Sequence, residues 1–352
     1  MGVRPGAVVH VGLASPCRFC GVPLEHVVAD LGMSPLANAN VPVARANAME
    51  PFYPLRALVC SACFLVQLED YESPQHIFDD EYAYFSSYST SWLEHAERYT
   101  ELMIERLGLD ASSQVVELAS NDGYLLQYFK ARGIPVLGIE PAANTARVAL
   151  DKGIATRVAF WGEQTARDVA AQTRADLLLG NNVLAHVPDI NDFVAGMKIA
   201  LKPGGTITIE FPHLLSLLEL NQWDTIYHEH FSYLSFSTVG RVFEAHALRL
   251  FDVQELATHG GSLRIFGCHA DDPRRQTDAA GEMLERERVA GLQDVRTYLR
   301  YGARVVEDKR QILELLIELK RAGNAIAGYG AAAKGNTLLN FCGVGRDFLD
   351  FT

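Results

Sequence analysis

The sequence contains no apolar run of about 18 residues, the length that a membrane-spanning helix needs. It also has no basic stretch to offset its net charge of −12, which argues against nucleic acid or an anionic membrane as the main partner. The first 17 residues carry one early positive charge and an apolar stretch broken by His10, unlike a signal peptide. We therefore expect a cytoplasmic protein with reduced thiols, and nothing demands an oligomer, so a monomer is expected.

Length and composition indicate a globular protein with more than one core. The 352 residues exceed one ordinary core, and 49% hydrophobic with 21% charged residues is typical of folded proteins. The order of patterns along the chain predicts three parts: an N-terminal module over 1–75, a central domain over 76–270 and a C-terminal part over 271–352.

Cysteine is scarce, yet four of the six cysteines form two CxxC pairs. Cys17 and Cys20 make the first pair, and Cys60 and Cys63 make the second. In a reducing compartment, two such pairs most simply place four thiolates around one tetrahedral zinc ion, with no open position for a substrate. A redox dithiol and unrelated core cysteines are the alternatives. The interval between the pairs holds several prolines, so we expect it to be irregular and rich in loops.

From residue 113 onward, the sequence alternates between buried strands and amphipathic helices. Strands are expected in SQVVEL, IPVLGIEP, DLLLGNN and LKPGGTITIEFP, and a further strand pair near 249–268. This alternation predicts an α/β domain with a parallel sheet covered on both faces. Ligands of such sheets bind at the carboxyl ends of the strands.

The turn after the first of these strands limits the choice of ligand. It reads ELASNDG over 117–123 and lacks the GxGxxG that binds a dinucleotide pyrophosphate. Glu140 ends the next strand about 20 residues later, where an acid can accept both ribose hydroxyls. These features, with the LKPGG turn of class I methyltransferases, favour S-adenosylmethionine over NAD; a Rossmann-like domain for another ligand is the alternative. The expected cofactor residues are Glu117, Ala119, Ser120, Asn121, Gly123, Tyr124, Glu140, Pro141, Asn181 and Asn182.

Two further segments are dense in side chains that carry chemistry. Tyr82, Tyr84 and Tyr88 precede the alternating strands and helices and either pack toward the core or form a wall that binds a polar substrate ring. The segment DTIYHEHFSYL over 224–234 follows a buried strand. Histidine is the natural base near neutral pH, so proton transfer is one interpretation and packing of the loop is the other. Spacing alone does not decide which histidine faces the cleft.

The C-terminal part begins with charged helical sequence that ends at Gly323. NAIAGYGAAAKGNTLLNF then reads as a strand, a glycine turn and a helix. Gly328, Gly330 and Ala333 approximate a GxGxxA phosphate-binding turn, with Lys334 beside it. A lone motif of this kind does not decide between a phosphate site and an ordinary turn.

Together these segments resemble the S-adenosylmethionine-dependent C-methyltransferases that act on nucleotide-linked keto-deoxysugars. The similarity covers nearly the whole chain and rests on the two CxxC pairs and on YFSSYS, VVELASNDGYLL, GNNVLAHVPD, YHEHFSYLS and GYGAAAKGNTLLN. It implies a structural zinc ion on the four cysteines, S-adenosylmethionine as cofactor and a TDP-linked sugar as substrate. The implied fold is a class I methyltransferase Rossmann-like sheet between a zinc-binding module and a C-terminal Rossmann-like α/β part.

The resemblance also implies roles for individual residues. Methylation of carbon requires a carbanion, and His230 matches the family's base beside the ketone. Tyr227 and Glu229 belong to the same motif, and His186 matches a second active-site histidine. The implied catalytic set is His230, Tyr227, Glu229, His186 and Tyr82. The implied substrate-binding set is Tyr84, Tyr88, Gly330, Ala331 and Lys334.

Members of this family continue with further strands and helices after the last motif, so we expect the final α/β unit to be incomplete here. Two other functions compete with sugar C-methylation. One is O- or N-methylation of a small metabolite, and the other is a zinc-stabilised scaffold with a vestigial cofactor fold. The two cleft histidines and the tyrosines favour a carbon acid as the substrate.

Overall fold

A computed structural model of the chain describes residues 15–38, 41–71, 84–330 and 332–352. Two sheets organise these residues, one of seven strands and one of four. No helix of the described ranges is long and apolar enough to cross a membrane.

The described ranges contain eleven strands and ten α-helices, joined by loops and short 3₁₀ turns. The strands are β1 (His26–Ser34), β2 (Tyr53–Val59), β3 (Val66–Leu68), β4 (Val115–Leu118), β5 (Val136–Glu140), β6 (Thr156–Val158), β7 (Ala175–Asn181), β8 (Leu201–Pro212), β9 (Ser232–Tyr233), β10 (Leu248–Leu256) and β11 (Ser262–His269). The helices are α1 (Thr90–Leu107), α2 (Leu126–Ala131), α3 (Ala143–Asp151), α4 (Glu163–Ala170), α5 (Ile190–Ala200), α6 (Leu214–Glu219), α7 (Phe236–Ala245), α8 (Asp278–Val289), α9 (Val295–Arg321) and α10 (Ala333–Cys342).

The larger sheet has the strand order β10-β11-β8-β7-β4-β5-β6. Strands β8, β7, β4, β5 and β6 are parallel, as the alternating pattern predicted. The predicted strand pair near 249–268 is the hairpin β10–β11, which joins β8 antiparallel, so the sheet is mixed. All four residues of β4 are buried, because helices cover both faces of a central parallel strand.

Local sequence sets the ends of the helices around this sheet. Helix α1 begins after Ser89, whose Oγ accepts a hydrogen bond from Trp92 N at 3.3 Å. It ends at Gly108, which has a left-handed φ of 63° that glycine adopts without strain. Helix α7 begins in the same way after Ser235, whose Oγ accepts from Thr238 N at 3.1 Å.

The smaller sheet has the strand order β1-β2-β3-β9 and is antiparallel throughout. The prediction of an irregular segment between the cysteine pairs is therefore wrong over β1 and β2. Most of its prolines lie outside these strands, and Pro54 lies in β2 beyond the three residues that pair with β3. A proline is tolerated where a neighbouring strand does not need its N–H. Strand β9 comes from the 224–234 segment, so that segment belongs to this sheet.

The C-terminal helices pack on both sheets. Helix α9 packs on β1, and α8 packs on β10. Glu287 of α8 is fully buried and accepts hydrogen bonds from His213 Nε2 at 2.7 Å, Phe236 N at 2.6 Å and Ser237 N at 2.8 Å. The strand predicted before the glycine turn is, within the described residues, a single parallel bridge between Ala327 and Phe351.

Candidate active site and metal centre

The four cysteine side chains of the CxxC pairs converge on one point beside the smaller sheet. Their Sγ atoms all lie within 4.8 Å of one another. The shortest contacts run between the pairs, at 3.5 Å for Cys17–Cys63 and 3.4 Å for Cys20–Cys60. Zinc–sulfur bonds of about 2.3 Å in a tetrahedron place the sulfurs about 3.8 Å apart, so the four thiols fit one zinc ion. Gln67 Nε2 donates to Cys17 Sγ at 3.1 Å, as an outer partner of a thiolate ligand does.

The turn after β4 has the strained backbone that is common at ligand sites. Ala119 and Asn121 have φ values of 55° and 50°, in the left-handed region that costs a side chain energy. Gly123 has a φ of 74°, and a Cβ there would lie 2.4 Å from Ile154 Cδ1, so only glycine fits. The turn stands at the carboxyl end of a parallel strand, the position at which such sheets bind ligands.

Glu140 lies at the carboxyl end of β5 and is 4% exposed. Its Oε2 accepts a hydrogen bond from Asn121 N at 2.8 Å, and its Oε1 accepts from Ala142 N at 2.8 Å. Burial raises the pKa of the Glu140 carboxyl, and these two N–H groups oppose that shift. Each oxygen has a second lone pair, so the orientation suits a ligand with two neighbouring hydroxyls. Pro141 follows directly and is half-buried.

Several buried polar atoms at this edge have no hydrogen-bond partner within the described ranges. They are both carboxyl oxygens of Glu117, Ser120 Oγ, and the Oδ1 atoms of Asn181 and Asn182. Burial, followed by the carboxylates of Glu140 and Asp122, raises the pKa of Glu117 well above its usual value. Since buried polar groups are nearly always paired, these atoms fit the amino-acid and adenosine parts of S-adenosylmethionine.

The predicted tyrosine segment lies against the cofactor turn. Asn121 Oδ1 accepts from Ser86 N at 2.9 Å, and its Nδ2 donates to the Tyr84 carbonyl at 3.1 Å, so this side chain orders the segment. Tyr84 is 54% exposed and Tyr88 is 81% exposed, which excludes the core-packing interpretation for both. Tyr82 lies outside the described residues. Tyr124, the aromatic residue of the predicted cofactor set, is 3% exposed.

His186, His230 and Tyr227 form one aromatic cluster. The ring centroids of His186 and His230 are 4.8 Å apart, and those of Tyr227 and His230 are 4.1 Å apart. His230 Nδ1 donates to the Thr225 carbonyl at 3.0 Å. A carbonyl only accepts, so the proton is on Nδ1 and the lone pair is on Nε2. His186 Nδ1 donates to the Glu229 carbonyl at 2.8 Å, which fixes that ring in the same way.

Both imidazoles of the cluster are neutral near pH 7. Burial lowers the pKa of His186 to about 4. Burial, followed by the charge of His186, lowers the pKa of His230 well below its usual value. Burial also raises the pKa of the Tyr227 hydroxyl, which stays protonated and can donate. The cluster therefore offers proton acceptors beside a hydroxyl donor.

The carboxyl group of Glu229 faces the N-terminal module. Its Oε1 accepts from Asn38 Nδ2 at 2.6 Å, and the residue is 6% exposed. Burial raises the pKa of this carboxyl, and the hydrogen bond from Asn38 opposes the shift. His228 points to the same side, where its Nε2 donates to the Pro54 carbonyl at 3.1 Å. His228 thus follows the packing interpretation.

Lys334, in the C-terminal part, acts on the cluster through its charge. It is exposed in the first turn of α10, and its charge contributes to lowering the pKa of His230. Burial raises the pKa of Asp224, and Lys334 opposes that shift. Gly330 has a φ of 106° and open space where a Cβ would stand. Ala331 lies outside the described residues.

Comparison with known proteins decides the family. Three family models match: a zinc binding domain over residues 17–78, a methyltransferase domain over 92–252 and a C-methyltransferase C-terminal domain over 257–352. The C-methyltransferase NovU of Streptomyces niveus is 36% identical over 336 residues, which are 95% of this chain and 80% of NovU. This chain is a member of the C-methyltransferase family. It is an S-adenosylmethionine-dependent enzyme with a zinc-binding module, as its sequence predicted.

Solved structures resemble about half of this C-methyltransferase, and only distantly. The 1,6-didemethyltoxoflavin-N1-methyltransferase of Burkholderia thailandensis is 17% identical and covers 59% of this chain and 95% of its own, with a TM-score of 0.42. The magnesium protoporphyrin IX methyltransferase of Synechocystis PCC 6803 is 10% identical and covers 50% and 78%, with a TM-score of 0.38. Likenesses of this size carry no conclusion about the substrate.

The sequence analysis missed a buried ionic network beside the site of this C-methyltransferase. Glu210 at the end of β8 is 1% exposed and accepts from Arg264 Nε at 2.7 Å and from His95 Nε2 at 2.9 Å. Trp92 stacks on His95 at 4.8 Å between centroids and meets His259 edge-on at 5.5 Å. The signal for this network was Glu210, an acid inside the apolar run TITIEFP. Buried carboxylates are almost always paired, so an acid in such a run indicates a cationic partner.

Proposed function

We propose that this C-methyltransferase methylates a ring carbon next to the ketone of a TDP-linked keto-6-deoxysugar. The proposal combines the family assignment with the sequence resemblance to sugar C-methyltransferases. In the proposed reaction, His230 removes the proton from the carbon next to the ketone. The negative net charge and the absence of a basic stretch support a small-molecule substrate. As further parts of the proposal, the protein is a monomer and works in the cytoplasm.

One observation carries the proposal: a neutral, half-buried histidine whose tautomer is fixed. The Thr225 carbonyl holds the proton of His230 on Nδ1, which leaves Nε2 as the base. A carbon next to a ketone is a weak acid, so a positioned base is needed, and it typically contributes a rate factor of about 100 to 10,000. Methylation of a hydroxyl needs a weaker base and would not call for two neutral imidazoles 4.8 Å apart.

The remaining side chains of the cluster suit the charge that develops. Removing the proton places negative charge on the ketone oxygen, and a hydroxyl donor in a buried site stabilises it. Tyr227 is 4.1 Å from His230 by ring centroids and keeps its proton because its pKa is raised. We assign Tyr227 this role, with Glu229 and His186 orienting the sugar and the His230 ring.

The cofactor and the substrate bind different sets of residues in this proposal. When bound, S-adenosylmethionine supplies an electrophilic methyl group on a sulfonium sulfur. Glu117, Ser120, Asn181 and Asn182 bind its polar groups, and Glu140 binds its ribose. We place the sugar nucleotide along the Tyr84 segment and the first turn of α10, where Lys334 provides positive charge for the diphosphate.

The test is methyl transfer from labelled S-adenosylmethionine to a panel of TDP-keto-6-deoxysugars, with the wild type beside His230→Ala and NMR assignment of the product. The expected result is label on a ring carbon that the variant does not produce. A parallel incubation in deuterated buffer without S-adenosylmethionine should exchange the α-proton of the sugar only when His230 is present.

Other outcomes separate the competing functions. Label on oxygen or nitrogen would overturn carbon methylation and assign the histidine segment to binding. Failure to bind S-adenosylmethionine would support a non-catalytic scaffold. Carbon methylation that persists in His230→Ala would retain the reaction and refute the role of this histidine.

A further inference from the structure

We propose that Arg18, inside the first CxxC pair, is a positioning residue that holds the two histidine-bearing segments at their working separation. This inference rests on the proposed roles of His186 and His230. The Arg18 guanidinium contacts both segments. Its Nη1 donates to the Pro188 carbonyl at 2.9 Å, two residues after His186. Its Cζ lies 5.4 Å from the ring centroid of Phe231, which adjoins His230.

The arginine itself is fixed from the side of the smaller sheet. Its Nη2 donates to the Leu68 carbonyl at 2.7 Å and to Asp70 Oδ1 at 2.8 Å. Its backbone N donates to Gln67 Oε1 at 2.9 Å, and the same amide donates from Nε2 to Cys17 Sγ at 3.1 Å. The Arg18 side chain is only 7% exposed. These contacts hold the Arg18 side chain in one rotamer, and Gln67 connects that residue to the Sγ atom of Cys17.

Backbone contacts tie the same three segments together. Leu68 N donates to the Phe231 carbonyl at 3.0 Å, and Gln67 stands opposite Ser232 in the β3–β9 pair. From α5, Asn191 Nδ2 donates to the Arg18 carbonyl at 3.2 Å. These bonds, from the backbone and from the Asn191 side chain, set the approximate docking of the first CxxC pair, β9 and the loop after β7. The guanidinium adds a bridge between the two histidine segments, beside the bond from His186 Nδ1 to the Glu229 carbonyl.

Only an arginine fits this position. The planar guanidinium donates in several directions while it lies over an aromatic ring, whereas a lysine ammonium is a point charge without that fork. Without the bridge, the separation of His186 and His230 rests on the backbone bonds and on the single hydrogen bond from His186 Nδ1 to the Glu229 carbonyl. A shift of about 1 Å at a catalytic group costs about 100-fold in rate, so a small relaxation is measurable.

The second CxxC pair provides a matched control. Arg241 lies over the Phe64 ring at 5.4 Å, the same distance at which Arg18 lies over Phe231. Its Nη1 donates to the Ala62 carbonyl at 3.4 Å. Arg241 thus makes the same kinds of contact with a cysteine pair, but these contacts do not involve Pro188 or Phe231.

The experiment compares Arg18→Met, Arg18→Lys and Arg241→Met with the wild type, each at measured zinc content and measured S-adenosylmethionine affinity. The acceptor is the TDP-keto-6-deoxysugar that takes label in the assay proposed above. We expect Arg18→Met to lose kcat by about 10- to 100-fold, with the KM for S-adenosylmethionine and the zinc content unchanged. Arg18→Lys should also be impaired, added guanidinium ion should partly restore Arg18→Met, and Arg241→Met should behave as the wild type.

A second readout needs no sugar. Long-range ¹⁵N NMR of the imidazole rings should show shifted signals for His186 and His230 in Arg18→Met and unshifted signals in Arg241→Met. Unshifted rings in Arg18→Met, or an unchanged kcat at full zinc content, would overturn the inference. If Arg18→Met loses zinc, Arg18→Lys is the deciding variant. An Arg18→Lys protein with normal zinc content, normal kcat and unshifted His186 and His230 signals would refute the inference.

His230→Ala, run in parallel, separates this inference from the proposed function. An inactive His230→Ala beside a fully active Arg18→Met leaves the proposed function intact and refutes the role of Arg18. An active His230→Ala refutes the proposed role of His230 as the base, and then the NMR readout alone judges whether Arg18 positions the two rings. If Arg18 acts through His230, Arg18→Met should cause no further loss of deuterium exchange in the His230→Ala background.

Discussion

The cofactor edge and the histidine cluster are built in opposite ways. The cofactor edge comes from consecutive elements of one sheet: the turn after β4, the end of β5 and the end of β7. The histidine cluster joins the loop after β7, the 224–234 segment, the first turn of α10 and Asn38 of the N-terminal module. A local site is stable once its own sheet forms, whereas an assembled site depends on how separate elements dock. A change that disrupts one of these sites should therefore leave the other site intact.

The largest expected effect is that of removing the metal. A structural zinc site contributes about 10–16 kcal/mol of apparent folding free energy in small domains, so a chelator should unfold β1-β2-β3-β9. Strand β9 belongs to that sheet, and methyl transfer should therefore be lost. The proposed S-adenosylmethionine site lies elsewhere, so the affinity for S-adenosylmethionine should change by a factor of about two at most. Calorimetric titration of the metal-free protein checks this, and loss of cofactor binding would show that the two sites are one cooperative unit.

The next effect in size is the contribution of the histidine cluster to the dependence of stability on pH. The folded pKa of His186 is about 4, below the usual 6.5 of an unfolded chain. The unfolded state therefore binds more protons in that window, and the free energy of unfolding falls as pH decreases from about 6.5 to about 4, by roughly 3 kcal/mol at most.

Urea unfolding at pH 8 and at pH 5 measures this dependence. His186→Gln should flatten it, while the same change at His26, which lies in β1 and outside the cluster, should not. Equal pH dependence in all three proteins would contradict the assignment. Since the bases are neutral, the acidic limb of kcat should also lie below pH 6.5.

A smaller effect is expected at the cofactor edge. Glu140→Gln removes the charge from an acceptor of two backbone N–H groups and of the ribose hydroxyls. Hydrogen bonds to charged groups contribute about 1.5–3 kcal/mol, so cofactor affinity should fall by about tenfold or more. Titration calorimetry measures it, with Asp151→Asn at the exposed end of α3 as the control. The rate of deuterium exchange of the sugar should stay unchanged. A loss of about tenfold in that rate as well would show that the two sites are not independent.

The smallest effect tests the contact between the N-terminal module and the cluster. Asn38→Ala leaves Glu229 Oε1 without its donor, which costs about 1 kcal/mol, or about fivefold in methyl transfer. Cofactor affinity should not change. Asn336→Ala is the control, because Asn336 donates to the Pro35 carbonyl near the same segment and not to Glu229. Equal losses of methyl transfer in both variants would show that the effect comes from the segment around Pro35 and Asn38 and not from the hydrogen bond to Glu229.

The cofactor edge could be predicted from the sequence because its signals are local, and its role in binding stays a prediction. The turn residues 117–123, Glu140 and the strand ends follow from patterns a few residues long, and the central sheet has the predicted strands. The strands β1 and β2 were missed because the prolines between the cysteine pairs outweighed their apolar residues. Pairing with β3 stabilises these strands, and a partner from elsewhere in the chain is not visible in a local pattern.

The assembled site was predictable only in part. His186, His230 and Tyr227 came from the family resemblance, and the structure brings their rings together. Asn38 carried no signal, because its partner Glu229 is 191 positions away along the chain. The predicted strand before the glycine turn near Gly330 depended on a neighbour in the same way, and within the described residues it has only the bridge at Ala327.

The carboxylate of Glu287 has a consequence for recombination between related enzymes. It accepts from three donors that lie 50 to 74 positions earlier, on two elements of the methyltransferase domain. A chimera joined at the predicted boundary after residue 270 takes this acceptor from one parent and its donors from the other. A chimera joined after Val289 inherits the acceptor and all three donors from the same parent. The later crossover should therefore give the better-folded hybrids, even though it divides the C-terminal part of the sequence.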